Sequence, residues 1–285
     1  MKYLCEVLEF LHKLIQSEYS KIILSFILGF LSNYGIAKLI EQQKLVKLRK
    51  FYLSWLKFSL ENVSKQLLRL EKYKDILQSN TNFSGNLEFN KNQLDKISSL
   101  SKEELYDVFV LRKKGNNQEN AKKLHELTEC IDYLILFDKE IYVKYNEFRN
   151  EIKELSKALF SATFNFNSIV DRYILEYRKS MGAYTDQMIE LKDGLGKKYT
   201  QSEIEMDPYL FFSEFVSPAR EIFSNHLFFQ QDDIIIKGRE STQEIYNIFN
   251  SKKDIQNKFS NILEHYIIQT KKTISSIQSK IEFFS

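Results

Sequence analysis

The chain has 285 residues, enough for one large domain or two small ones, and its 41 cations and 38 anions leave a net charge of +3. That near balance excludes the strong whole-molecule field of a nucleic-acid binder, so nucleic acid is not an expected partner. With 8 glycines, 2 prolines and 28% charged residues the chain has few places to turn, which excludes a fold of many short strands, and two cysteines, Cys5 and Cys130, exclude a disulfide scaffold.

Residues 2–17 carry Leu4, Val7, Leu8, Leu11, Leu14 and Ile15 on one helical face, with Glu6, Glu9, His12, Lys13 and Gln16 opposite. The pattern predicts an amphipathic N-terminal helix over 1–20. It suits a membrane surface or a bundle equally.

The next stretch, Ile22 to Ala37, holds no charged residue and lies between Lys21 and Lys38. It predicts a membrane anchor over 21–40, with Ile22, Leu28, Phe30, Leu31 and Ala37 among the lipid-facing residues. As a helix the run reaches about 24 Å at ~1.5 Å per residue, short of a ~30 Å hydrocarbon core, and the methylenes of Lys21 and Lys38 extend it. Ser32, Asn33 and Tyr34 dilute the run, and a buried core helix is the competing reading. Lys13 and Lys21 on the N-terminal side are offset by Glu9 and Glu18, whereas Lys38, Lys44, Lys47, Arg49 and Lys50 follow the run. The positive-inside rule then puts the C-terminal part in the cytoplasm, in a bacterial inner membrane, with membrane lipid as the first partner. A late apolar run without a small-x-small site is not a cleavable signal peptide.

Ser25, Gly29, Ser32 and Gly35 recur every three or four residues and place a small face along the anchor, which predicts helix association and a homo-oligomer. Counted onward, the same three-four phase meets a seam of Leu53, Leu56, Leu60, Val63, Leu67, Leu70, Lys74 and Leu77. One helix leaving the membrane and entering a bundle would keep that phase. Lys44, Lys47, Arg49, Lys50 and Lys57 are interleaved with Phe51, Tyr52, Trp55 and Phe58. So near an anchor, Lys44, Lys47, Arg49, Lys50 and Trp55 are expected to bind anionic headgroups. The polar run Ser79 to Asn86 ends the helix.

Ser101 and Glu104 form a capping box ahead of an amphipathic helix ending near Gly115. From Leu124 a heptad seam runs through Leu127, Ile131, Leu134, Asp138, Ile141, Tyr145, Phe148, Ile152, Leu155, Leu159, Ala162, Phe166 and Ile169 to Tyr173, with no glycine or proline between Gly115 and Gly182. Asp138 is read as the place where the seam meets water. KDGLGKK, near Gly194, is expected to be an exposed turn. Asp207–Pro208 and Ser217–Pro218 each read as a helix start, N-cap followed by proline. Tyr209, Phe211, Phe212, Phe215, Phe223, Phe228 and Phe229 crowd this region, which is expected to close a bundle and to be the best place for an unknown protein partner. The run Ile234 to Gly238 reads as a lone strand. A last helix from about Ser251 carries Ile255, Phe259, Ile262, Leu263, Tyr266, Ile267, Ile274, Ile277 and Ile281, and ends apolar at Phe283 and Phe284, so its end should be docked.

Catalytic signals are sparse. PAREIFSNH sets Arg220 and His226 at an R-x5-H spacing, which resembles the R-x4-6-H signature of HEPN ribonucleases; Glu221 stands where that family commonly has Asn, Asp or His. The resemblance implies an all-helical RNA-cleaving enzyme with Arg220 and His226 in its site, usually shared across a dimer. His125 and Glu129 share a helix face but make no metal site, and no phosphate loop, nucleophile elbow or zinc spacing occurs. No cofactor and no metal is expected. The expected fold is all-α: an N-terminal single transmembrane helix, then an elongated cytoplasmic helical bundle with coiled-coil-like heptad seams. Its segments are 1–20, 21–40, a long-helix bundle over 41–195, and a C-terminal helical segment over 196–285 that packs on it. The expected function is that of a membrane-anchored, non-enzymatic interaction protein that self-associates, in outline similar to anchored helical proteins of bacterial phage-defence loci. The alternatives are the ribonuclease and a soluble helical scaffold.

Overall fold

The computed structural model describes residues 18–79, 86–89, 94–113, 115–178, 182–200, 211–225 and 232–285, except the side chains of 18–20, 23, 24 and 195–200. Among the described residues there is no strand. Three long helices dominate: α1 (Glu18–Ser79), α4 (Asn117–Tyr177) and α7 (Asp233–Phe284). Shorter ones are α2 (Leu94–Ser98), α3 (Lys102–Tyr106), α5 (Gly182–Thr200) and α6 (Ser217–Asn225). Two π-helical turns, Asp107–Leu111 and Phe212–Val216, follow α3 and precede α6. The predicted amphipathic helix over 2–17 and the predicted start at Asp207–Pro208 lie outside the described residues.

The chain forms two compact units, one from the described parts of Met1–Ser59, Gln93–Ile131 and Ile277–Ser285, the other from those of Leu60–Asn92 and Asp132–Ser276. Helix α1 is continuous from the predicted anchor into the leucine seam, as the shared phase requires. Leu53, Leu56, Leu60, Val63, Leu67, Leu70 and Leu77 are all buried. A second buried row stands beside them at intervals of seven, Leu45, Tyr52, Ser59, Gln66 and Tyr73. The apolar face is therefore wider than one seam, as a helix covered by more than one neighbour needs. In α4 every member of the predicted seam is buried except Asp138, Leu155 and Ile169, which are half-buried.

In the first unit Ser101 caps α3: the Glu104 N–H donates to Ser101 Oγ at 3.3 Å. The Glu104 carboxylate meets Lys44 Nζ at 3.2 Å. The predicted helix toward Gly115 becomes a π turn after Tyr106, which buries three successive residues, Val108, Phe109 and Val110. Gly115 follows at φ 124°, a conformation that an L side chain rarely adopts. The apolar end of α7 is docked, as expected. Phe284 is fully buried with its ring 4.9 Å from Phe109, and Arg49 Nε donates to the Phe284 carbonyl at 3.1 Å. Lys113 donates to the Phe283 carbonyl and lies 3.5 Å from that ring's centroid. Two cations thus satisfy carbonyls that a helix end leaves open.

In the second unit Phe166, Tyr173, Phe215 and Phe223 form the centre of a buried cluster with Met188, Ile222, Ile235 and Ile245. Phe223 meets Phe166 and Tyr173 edge-on at 6.4 and 5.3 Å. Burial pushes the Tyr173 phenol up to about 12. Phe211, Phe215 and Phe223 close this core as the sequence predicts, while Tyr209, Phe228 and Phe229 lie outside the described residues. At another level of the unit Tyr73 and Tyr145 meet Phe259 at 6.4 and 6.2 Å, and Phe148 stacks on it at 4.4 Å.

Four local expectations give way to this packing. KDGLGKK is helical, the later part of α5, because Thr185 and Met188 are buried on the same helix and outweigh the roughly 1 kcal/mol that a mid-helix glycine costs. Ser217–Pro218 does open α6, but Ser217 is not a non-helical cap: the chain is already helical at Phe211, and Ser217 itself has φ −67° and ψ −49°. The π turn before it, where the Ser217 N–H bonds to Phe212 O, shifts the ladder at the point where proline supplies no N–H. Ile234 to Gly238 is no strand but the first turns of α7, capped by Asp232, whose Oδ1 accepts from the N–H groups of Ile234 and Ile235 at 2.9 and 3.4 Å. Ile262, expected in the core, is 39% exposed, since it lies just off the buried row that contains Leu263.

Gly238 of α7 lies against Phe223 of α6: a Cβ added there would lie 2.6 Å from the Phe223 ring. That ring is fully buried and packed edge-on against Phe166 and Tyr173, so it must shift against a packed core to make room. Gly238→Ala is therefore expected to destabilise the protein by about 1–3 kcal/mol, the usual penalty of overpacking. Gly194→Ala, where nothing lies within 4 Å, should gain up to ~1 kcal/mol from helix propensity. Melting curves of the two variants should shift in opposite directions.

Candidate functional site

The described part of the predicted anchor is a helix without a protein cover. Ile22, Phe26, Ile27, Leu28, Phe30, Leu31, Tyr34, Ile36, Leu39 and Ile40 are all exposed, Phe26 to 76%. They stand on every side of α1, so no face is sheltered. The buried-core reading of the segment does not describe these residues. A contiguous apolar surface of this extent is not a feature of an ordinary water-facing helix. Ala37 is exposed as well.

The small face is open too. A Cβ added at Gly29 or Gly35 would meet nothing within 4 Å. The two serines keep their hydroxyls inside the helix: Ser25 donates to Lys21 O, and Ser32 Oγ to Gly29 O at 2.9 Å. A hydroxyl bonded to its own backbone costs less to bring into an apolar medium than an unpaired one. Among the described residues no helix is long and apolar enough to cross a membrane. The side chains of Ile23 and Leu24, two of the most apolar residues of the run, lie outside that description.

After the predicted anchor the basic and aromatic residues divide. Lys44, Lys47 and Lys50 are exposed, Lys44 in an ion pair with Glu104. Arg49 is placed elsewhere, on the Phe284 carbonyl, and belongs to the docked end of α7. Trp55 is half-buried between Phe51 and Phe58, at 5.7 and 6.2 Å, with Lys96 Nζ 5.8 Å from its ring. Its indole N–H is buried and has no hydrogen-bond partner among the described residues. Phe51 and Phe58 are exposed, so the aromatic row faces outward on one side.

Arg220 Nη2 donates to Gln243 Oε1 at 2.8 Å, and the guanidinium lies 5.4 Å from the Tyr246 ring; His226 lies outside the described residues. His125 Nε2 and Glu129 Oε1 meet at 3.2 Å on an exposed face of α4, the i,i+4 pair read from the sequence. Among the described residues no group of three or more His, Cys, Asp or Glu side chains could hold a metal ion.

The sequence reading missed most of the α7 seam. Ile235, Gly238, Thr242, Ile245, Phe249, Lys252, Gln256, Phe259, Leu263, Tyr266 and Thr270 follow steps of three and four without a break, and all but Gly238 are buried side chains. Thr242, Lys252, Gln256 and Thr270 hide the periodicity, because an apolar count skips them. Lys252 is 7% exposed, and burial holds its ammonium below the ordinary lysine range. With fold and site in view, the class defined is an all-α bundle protein with an exposed apolar helical arm. No family model, curated protein or solved structure matches the chain.

Proposed function

We propose that this chain is a membrane-anchored, non-enzymatic interaction protein whose α1 enters the lipid through residues 22–37 and carries the helical bundle on the cytoplasmic side. One observation carries the reading: ten large apolar side chains between Ile22 and Ile40 are exposed on all sides of one helix. In water each of them forfeits a transfer free energy of about 1.5–3 kcal/mol, which hydrocarbon would restore. Lys21 and Lys38 bracket the run, and Lys44, Lys47 and Lys50 are available to anionic headgroups of a bacterial inner membrane. The open face of Ser25, Gly29, Ser32 and Gly35 favours self-association inside the lipid. A phage-defence-type membrane effector or accessory protein is the role in keeping with such an arm. Alkaline carbonate extraction of bacterial membranes containing the full chain tests the anchor: the protein should stay in the pellet, and release into the supernatant would overturn the reading.

A further inference from the structure

The α7 seam contains a lysine where the rest of the seam gives no reason for a cation. Lys252 is buried, no hydrogen bond or ion pair reaches it among the described residues, and desolvation holds its ammonium below the ordinary lysine range. A structural lysine at such a position would be costly, since methionine or leucine would fill the space without a charge to desolvate. Its side chain lines a cavity of about 460 Å³ in the second unit. Leu159 and Phe211, both buried, form part of the wall, and Thr163 and Asn167, four apart on α4, add polar groups. Two further lining rings, Phe160 and Phe164, are 76% and 70% exposed, the posture of side chains with apolar surface to offer and nothing yet against it. The volume is that of a small-molecule site, mostly apolar with a few convergent polar groups.

We propose that this cavity binds a free single-chain carboxylate of fatty-acid type, its alkyl chain against Leu159, Phe160, Phe164 and Phe211 and its carboxylate on the Lys252 ammonium. The bound anion supplies a counter-charge that Lys252 does not find among the described residues. Contact between a desolvated ammonium and a carboxylate is a charge-assisted hydrogen bond, stronger than a neutral one. The chain length is limited by the cavity, which suits a medium chain better than a diacyl lipid. This site lies more than a hundred residues from the proposed anchor and does not depend on it.

The test uses the full chain in phosphatidylcholine nanodiscs, with dodecanoate as the probe and dodecanol as its uncharged counterpart. Per-lysine acetylation read by mass spectrometry should show Lys252 protected at least about tenfold by dodecanoate, with Lys253 and Lys258 unchanged. A charge-assisted hydrogen bond corresponds to about that ratio. Dodecanol should protect Lys252 far less. Carbon-13 at the carboxylate should report binding to the parent and to Lys252→Arg, which keeps the cation, and none to Lys252→Met, whose fold is checked by circular dichroism. Equal protection by dodecanol, unchanged reactivity with dodecanoate, or undiminished carboxylate binding by Lys252→Met would each overturn the proposal.

Discussion

Phe284→Ala should cost about 3–5 kcal/mol, the usual loss when a fully buried phenylalanine is truncated and the cavity only partly collapses. The site offers little to collapse. The ring stands edge-on against Phe109 at 4.9 Å and Phe283 at 5.1 Å, and the adjacent carbonyl is fixed by Arg49. Phe109 itself sits in a π turn whose three central residues are buried, so a shift there would disturb all three. Burial and the neighbouring Arg49 both hold the Lys113 ammonium below the ordinary lysine range, so loss of the rings beside it should also return its titration toward that range. The measurement is thermal melting with Phe283→Ala as the comparison. The half-buried ring should cost less than the buried one, and an equal or smaller loss for Phe284→Ala would mean that the end of α7 is not part of the first unit's core.

The second large effect concerns the arm. A lysine near the centre of a membrane helix costs roughly 2.5–3.5 kcal/mol on insertion scales, so Leu28→Lys with Leu31→Lys together should cost about 5–7 kcal/mol. A run that is already short for the hydrocarbon core has little surplus against such a cost. Leu28 and Leu31 are 59% and 57% exposed and touch no core, so the bundle should keep its helical circular dichroism and its melting temperature. The double variant should therefore move from the membrane pellet to the soluble fraction without unfolding. A variant that stays in the pellet, or one that unfolds, would show that the segment does something other than face lipid.

Long-range periodicity was the most legible property of this sequence. The α4 seam and the leucine row of α1 are buried almost residue for residue, because a helix that must cover several turns of a neighbour repeats its apolar side chains at a fixed interval. The row Leu45, Tyr52, Ser59, Gln66 and Tyr73 was less visible, since serine and glutamine at core positions read as surface. The same masking hid Lys252 and Gln256 in α7. A scan for positions in phase, blind to residue type, would have found them. Local signals misled where tertiary packing overrode them. Ile234–Gly238 looks like a strand until Asp232 caps it, and Ser217 before Pro218 looks like a non-helical cap until the preceding π turn absorbs the missing donor. The lack of protein cover over the described side chains between Ile22 and Ile40 was legible only as one of two readings, because apolarity alone does not distinguish a buried helix from one that lacks a protein partner.

The role of that helix is decided by what surrounds it. Nitroxide labels placed one at a time from Ser25 to Ile40, in full-length protein reconstituted into bilayers with Cys5 and Cys130 replaced by serine, report their accessibility to oxygen and to a water-soluble nickel complex. A lipid-spanning arm predicts high oxygen and low nickel accessibility that varies with depth and is greatest in contrast near Gly29 to Leu31. High nickel accessibility at every position, or a three-to-four-residue alternation with one face closed to both reagents and the other open to nickel, would contradict it.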